Sequence, residues 1–172
     1  MLRSERLPRL AAALLSSLLA ACGPHSWKPP GGRAIEVAQV RQLGSCNSDG
    51  PQTRLSLLVD REAVRVWQQA HHVDLVGIDP LPDAGAYVLV ELGVRDSAGY
   101  GLAIVRQAGL GGGVVWLGAS LFKPDAAEAA RPMAASPCVL VALPEGRYRG
   151  VELRDPAGTL LAGTDHAPAP AQ

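Results

Sequence analysis

The chain has 172 residues, 48% of them apolar, with 16 basic and 16 acidic side chains. That balance, with no stripe or block of one sign, excludes a basic nucleic-acid binder. The length suits one domain large enough to bury a real core.

The chain opens with a basic lead, Met1 to Arg9, carrying Arg3, Arg6 and Arg9 against Glu5. Leu10 to Ala21 is then apolar or small throughout. This run is shorter than the roughly 20 residues of a bilayer span, and it suits the core of a secretory signal. It closes on Leu19-Ala20-Ala21-Cys22, which matches the bacterial lipobox: an aliphatic residue, two small residues, then the cysteine whose thiolate takes the lipid. Cleavage is expected between Ala21 and Cys22, leaving Cys22 as the lipid-bearing first residue. Gly23 stands where an aspartate would retain such a protein at the inner membrane. The expected location is therefore the cell envelope, anchored in the outer membrane and facing the periplasm. Without the leader's three basic residues and one acidic residue, 13 and 15 remain.

Residues 22–33 read Cys-Gly-Pro-His-Ser-Trp-Lys-Pro-Pro-Gly-Gly-Arg, a composition that predicts a flexible tether. Ile35 to Arg41 alternates apolar and polar as a half-wet strand does. Cys46 follows; an exported chain folds where disulfides persist, so Cys46 and Cys138 form a candidate bridge, with two buried free thiols as the alternative. Leu55 to Val59 is a short apolar run. Asp60 reads as the N-cap of a helix over Arg61–His71, with Ala63, Val66, Trp67 and Ala70 on one face and Trp67 as a core anchor.

Tyr87 to Val94 reads as a well-buried strand and Gly101 to Gln107 as another. The glycines over 108–113 precede a β run, Val114 to Leu117, so they predict a hairpin turn; a phosphate cradle needs a helix there. Lys123 to Ser136 reads as a long connection, Cys138 to Leu143 as a strand, and Val151 to Leu161 as a hairpin turning at Asp155-Pro156-Ala157-Gly158. The expected fold is mainly β with one short helix: a single compact β-sandwich or open barrel of seven or eight strands over 34–162, behind the signal (1–21) and tether (22–33), with a disordered tail at 163–172.

No catalytic constellation emerges. Ser120, in Gly118-Ala119-Ser120-Leu121-Phe122, lacks the second glycine of a nucleophile elbow. His71-His72-Val73-Asp74 is the only cluster of metal-ligand types, but adjacent histidines point apart, and a solvated helix end is the expected role. No cofactor, metal or nucleic acid is expected, and the chain reads as a non-enzyme.

One stretch carries a resemblance. Val88-Leu89-Val90-Glu91-Leu92-Gly93 leads into Val94-Arg95-Asp96-Ser97-Ala98-Gly99-Tyr100-Gly101; Phe122-Lys123-Pro124 follows, and then Ser136-Pro137-Cys138-Val139-Leu140-Val141-Ala142-Leu143-Pro144. Their order resembles the PrcB-like family of protease-complex subunits, best over 88–145 and across some 110 residues with the Trp67 helix included. Ala98 departs from the first glycine of the family's Gly-Gly-Tyr segment, and Cys138 stands where an aromatic is common. The resemblance implies a non-catalytic, membrane-tethered accessory protein whose partner is an envelope protein, with a protease complex foremost. Gly99 and Tyr100 are the first candidates for partner contact. An alternative is a chagasin-like protease inhibitor using Ala98-Gly99-Tyr100, Gly109-Leu110-Gly111-Gly112 and Arg131-Pro132-Met133, although the last lacks that family's tryptophan. A small-ligand-binding or structural lipoprotein is a third reading.

Overall fold

The computed structural model describes residues 27–129 and 132–164. Along them run β1 (Arg33–Glu36), β2 (Ala38–Leu43), β3 (Arg54–Leu58), α1 (Arg61–His71), β4 (Ala86–Glu91), β5 (Arg95–Ser97), β6 (Gly101–Ile104), β7 (Gln107–Gly111), β8 (Val114–Phe122), the short α2 (Ala126–Ala129), β9 (Pro132–Ala135), β10 (Cys138–Leu143), β11 (Gly150–Arg154) and β12 (Leu160–Gly163). The first sheet has the order β1-β7-β8-β11-β12, with β6 also on β8; the second is β2-β10-β4-β3; β5 and β9 pair as a separate ribbon. Neither large sheet closes on itself. Of the two expected architectures, the sandwich is the one adopted.

Twelve strands replace the expected seven or eight because long runs divide at the corners of the sandwich. Ile35 to Arg41, read as one strand, splits at Val37, whose N–H bonds the Arg106 carbonyl at 2.8 Å. β1 then pairs with β7 in one sheet and β2 with β10 in the other. The connection over Lys123–Ser136 also holds more structure than expected, since β9 within it pairs with β5. The glycine segment is the expected hairpin: Gly112 and Gly113 turn between β7 and β8 with φ of 56° and 81°. Two successive positive φ angles match the twist of the flanking strands.

β4 and β10 lie at the centre of the second sheet, and every residue of both is buried. Successive side chains point to opposite faces of a strand. Val88, Val90, Val139, Val141 and Leu143 thus join Val115, Leu117, Val151 and Leu153 of the first sheet in one core cluster. Tyr87, Leu89, Leu140 and Ala142 face the other way, into a second cluster with Val64, Leu75 and Leu81. Each such side chain gains roughly 1.5–3 kcal/mol on burial. The molecule is therefore three layers: sheet, sheet, then helix and loop.

The outer layer is tied down locally. The Asp60 side chain caps α1 by accepting from the Ala63 N–H at 2.7 Å, and His72 closes the helix in the left-handed conformation. The buried face differs from expectation: Val64 is fully buried, whereas Val66 is 58% exposed. Ala63 and Trp67 pack on the core as expected, but Ala70 is exposed, and Val66 lies off the inward stripe, which runs through 64, 67, 68 and 71. Beyond the helix, Gln68 Oε1 accepts from the Leu75 and Val76 N–H groups, and the Arg41 guanidinium donates to the carbonyls of Val76 and Asp79.

Cys46 and Cys138 form a disulfide with Cα atoms 5.9 Å apart. It fastens the loop after β2 to the first residue of β10. Ser136 seconds it: its Oγ accepts from the Cys46 N–H at 3.0 Å and lies 3.0 Å from Ser45 Oγ. Ser48 Oγ donates to the buried Glu91 carboxylate at 2.9 Å.

The tether expected over 22–33 does not hold for its described part. Trp27 is only 5% exposed. It lies on Gly118 of β8, where a Cβ would come within 2.5 Å of the indole, and Pro29 lies as closely on Gly109 of β7. Glycines on the outer face of the first sheet thus form a bed for residues 27–32. At the other end, β12 runs to Gly163, and Thr164 exchanges bonds with Val151, its N–H and Oγ both 2.9 Å from that residue's backbone. Gly163 and Thr164, expected to belong to a disordered tail, are therefore part of the fold. The expected signal peptide and cleavage site, Cys22 and residues 165–172 lie outside the described residues. Among the described residues no helix is long and apolar enough to cross a membrane.

Closing a loop of about 93 residues, the disulfide is expected to contribute roughly 4–5 kcal/mol by the chain-entropy estimate. Paired Cys46→Ala and Cys138→Ala substitutions should lower the denaturant midpoint accordingly, and dithiothreitol should do the same to the unaltered chain and nothing further to the variant.

Candidate docking site

Gly99 and Tyr100 make the turn between β5 and β6. Gly99 is exposed with φ of 89°, a left-handed geometry that glycine adopts without strain. The turn brings the half-buried Tyr100 beside the end of β8, because β6 pairs along that end with Gly101 opposite Phe122 and Leu102 opposite Leu121. Leu92, Arg95, Tyr100, Leu121, Phe122 and Lys123 line a cleft of about 120 Å³ there. Phe122 is 53% and Leu121 46% exposed on its rim. Val94, before β5, and Met133, on the paired strand β9, are further exposed apolar side chains in this region. An apolar cluster of this kind at the surface, edged by cations, is characteristic of protein-contact sites.

Arg95 organises the cleft. Its guanidinium stands 5.7 Å from the Tyr100 ring centroid, within cation–π range, and donates to the Leu92 carbonyl. Its Nε is buried with no hydrogen-bond partner among the described residues, at a cost of about 1–3 kcal/mol.

No family model, curated protein or solved structure matches this chain. The site must be read from its own geometry.

The other sequence candidates fall elsewhere. His71 and His72 do end α1, as expected, with His72 exposed; the half-buried His71 ring also stacks on Trp67, with centroids 3.9 Å apart. No group of three or more His, Cys, Asp or Glu side chains among the described residues is placed to hold a metal ion. Ser120 is half-buried within β8. Two of the inhibitor-like segments stand apart: Gly99-Tyr100 sits at the Phe122 end of β8, while Gly111-Gly112 turns at the Val114 end, some 26 Å away at the usual strand rise. Of the third, Arg131 lies outside the described residues, and Pro132-Met133 begins β9, which pairs with β5. A larger hollow of about 350 Å³, lined by Ala34, Ile35, Glu36, Arg106 and Gln107, offers mainly an exposed Arg106–Glu36 pair, and such pairs contribute little.

Sequence reading missed Arg95, Leu121 and Phe122. Nothing local marks them, because the register of β6 against β8 is what places them beside Tyr100.

At the opposite end, Tyr148 donates its hydroxyl to the Pro144 carbonyl. Burial pushes the Tyr148 phenol up from its ordinary value, with the charge of Arg33 pulling the other way. A raised pKa in the folded state means that Tyr148 stabilises the fold fully below the unfolded value near 10 and loses that contribution as pH rises through the folded one. Tyr148→Phe should therefore unfold less steeply with pH above about 10 than the parent chain, as read by circular dichroism across an alkaline titration.

Proposed function

We propose that this chain is a non-catalytic binding module of the bacterial cell envelope, anchored by acylated Cys22 in the outer membrane on its periplasmic side, that docks another envelope protein through the cleft around Tyr100. The observation that carries this reading is the half-exposed Tyr100–Leu121–Phe122 cluster backed by the Arg95 guanidinium over the Tyr100 ring. Apolar side chains held on a strand end by a rigid sandwich keep little freedom to lose on binding, and a tyrosine over a guanidinium is a favoured interface anchor. The order of motifs from Val88 to Pro144 makes a protease complex the first class of partner to test, in the role of an assembly or stabilising subunit. The lipobox quartet supports the anchor. The Gly99-Tyr100 and Gly111-Gly112 segments, parted along β8, do not favour the inhibitor reading.

Two measurements test it. Photo-crosslinking from position 122 in intact envelopes, followed by mass spectrometry, should capture one dominant partner. Tyr100→Ala should weaken that capture roughly thirtyfold, the effect of losing about 2 kcal/mol at an interface anchor, while leaving the unfolding midpoint nearly unchanged. A variant that keeps full capture sinks the assignment of the cleft. Separately, Cys22→Ala should move the protein from the membrane fraction to the soluble one; persistence in the membrane with no acyl mass sinks the anchor.

A further inference from the structure

The cleft around Tyr100 holds two positive charges that apolar docking alone leaves without a role. Leu92, Tyr100, Leu121 and Phe122 give it an apolar lining, and Arg95 and Lys123 complete it. Neither cation belongs to an ion pair among the described residues, where the pairs are Arg61–Asp83, Arg65–Glu62, Arg106–Glu36 and Arg154–Glu152. The acids close to them in sequence are engaged elsewhere, and none lines the cleft. Buried Glu91 accepts from Ser48 Oγ, exposed Asp96 takes the Ser97 hydroxyl at 3.4 Å, and Asp125 accepts from the Ala127 N–H at 2.9 Å. An apolar slot beside two unbalanced cations selects a ligand that is apolar and anionic at once.

The size of the slot limits how far apart those two features can lie. Its volume is about 120 Å³, and a dry cavity of roughly 150 Å³ holds one benzene molecule. One aliphatic side chain fills it. The anion must then come from the same residue or from one beside it. An internal acidic residue does not meet that condition in an extended segment. Adjacent side chains point to opposite faces there, and the next one on the same face lies roughly 7 Å further on. A C-terminal residue does meet it, because its carboxylate and its side chain share one Cα.

We infer that the cleft receives the free C-terminus of the partner protein, ending in leucine or valine; this deepens the docking reading above and rests on it. The terminal side chain lies against Leu121 and Phe122, and the carboxylate meets Arg95 and Lys123. A guanidinium carries five N–H groups, and Arg95 directs one at the Leu92 carbonyl, so others remain for a carboxylate. Exposed Lys123 adds a point charge on a flexible stem. Capture of a terminal carboxylate is a recurring mode of peptide recognition.

Fluorescein-labelled decapeptides ending in Leu or Val, each as the free acid and as the C-terminal amide, test this by anisotropy against the purified full chain. At least one acid should bind about tenfold more tightly than its amide. Lys123→Met, a change at an exposed position, should narrow that gap to about threefold without altering the amide's affinity. Tyr100→Ala should weaken acid and amide alike. Equal affinities for acid and amide overturn the carboxylate assignment and leave apolar docking in the cleft standing. Acid binding that survives Tyr100→Ala overturns the placement in this cleft. Isocaproate competing as strongly as the peptide acid overturns a protein terminus as the source. Failure of every peptide to bind overturns the inference as a whole, while the crosslink from position 122 decides the docking reading separately.

Discussion

Everything in this molecule follows from two strands that must be dry on both faces. β4 and β10 pair along their whole length, Val139 with Val90 and Val141 with Val88, and all their side chains are buried. A sheet with two apolar faces needs two covers. The first sheet supplies one by packing as a sandwich. The other must be assembled from one helix and the loop over 72–85, and neither would be stable alone, since a helix of 11 residues is marginal in water. That explains why so many long-range side-chain bonds converge on this layer, from Arg41 and Gln68 to the disulfide at the head of β10.

The first sheet pays a different cost. Its inner face is filled by Val115, Leu117, Val151 and Leu153, but its outer face carries Gly109, Gly111 and Gly118, which leave the backbone thinly covered. Trp27, Pro29 and Trp116 take up that space. A segment whose Pro and Gly content reads as a spacer thus becomes part of the fold. Composition reports conformational preference, whereas docking depends on a complementary bed about 90 residues further along the chain.

That contrast marks what the sequence could reveal. The apolar run at 87–92, interrupted only by Glu91, the continuous one at 138–143, the Asp60 cap, the Gly112-Gly113 turn and the Asp155–Gly158 turn are local signals, and each produced the element expected. The cysteine pair was legible from its even number beyond Cys22 and from the expectation that the chain is exported. The helix face was misread because Val66 and Val64 are the same residue type two positions apart, and only the position of the sheet decides which turns inward. The cleft was legible at Gly99 and Tyr100 alone. Arg95 and Phe122 join them through strand register, which depends on pairings made far along the chain.

β8 sets the relation between the two ends of the sandwich. It runs nine residues from Val114 to Phe122, and its usual rise separates its ends by some 26 Å. The glycine turn with Arg149 occupies one end; Tyr100, Phe122 and Lys123 occupy the other. Trp27 rests over Gly118, midway along the strand, so the docked segment braces β8 between the turn and the cleft.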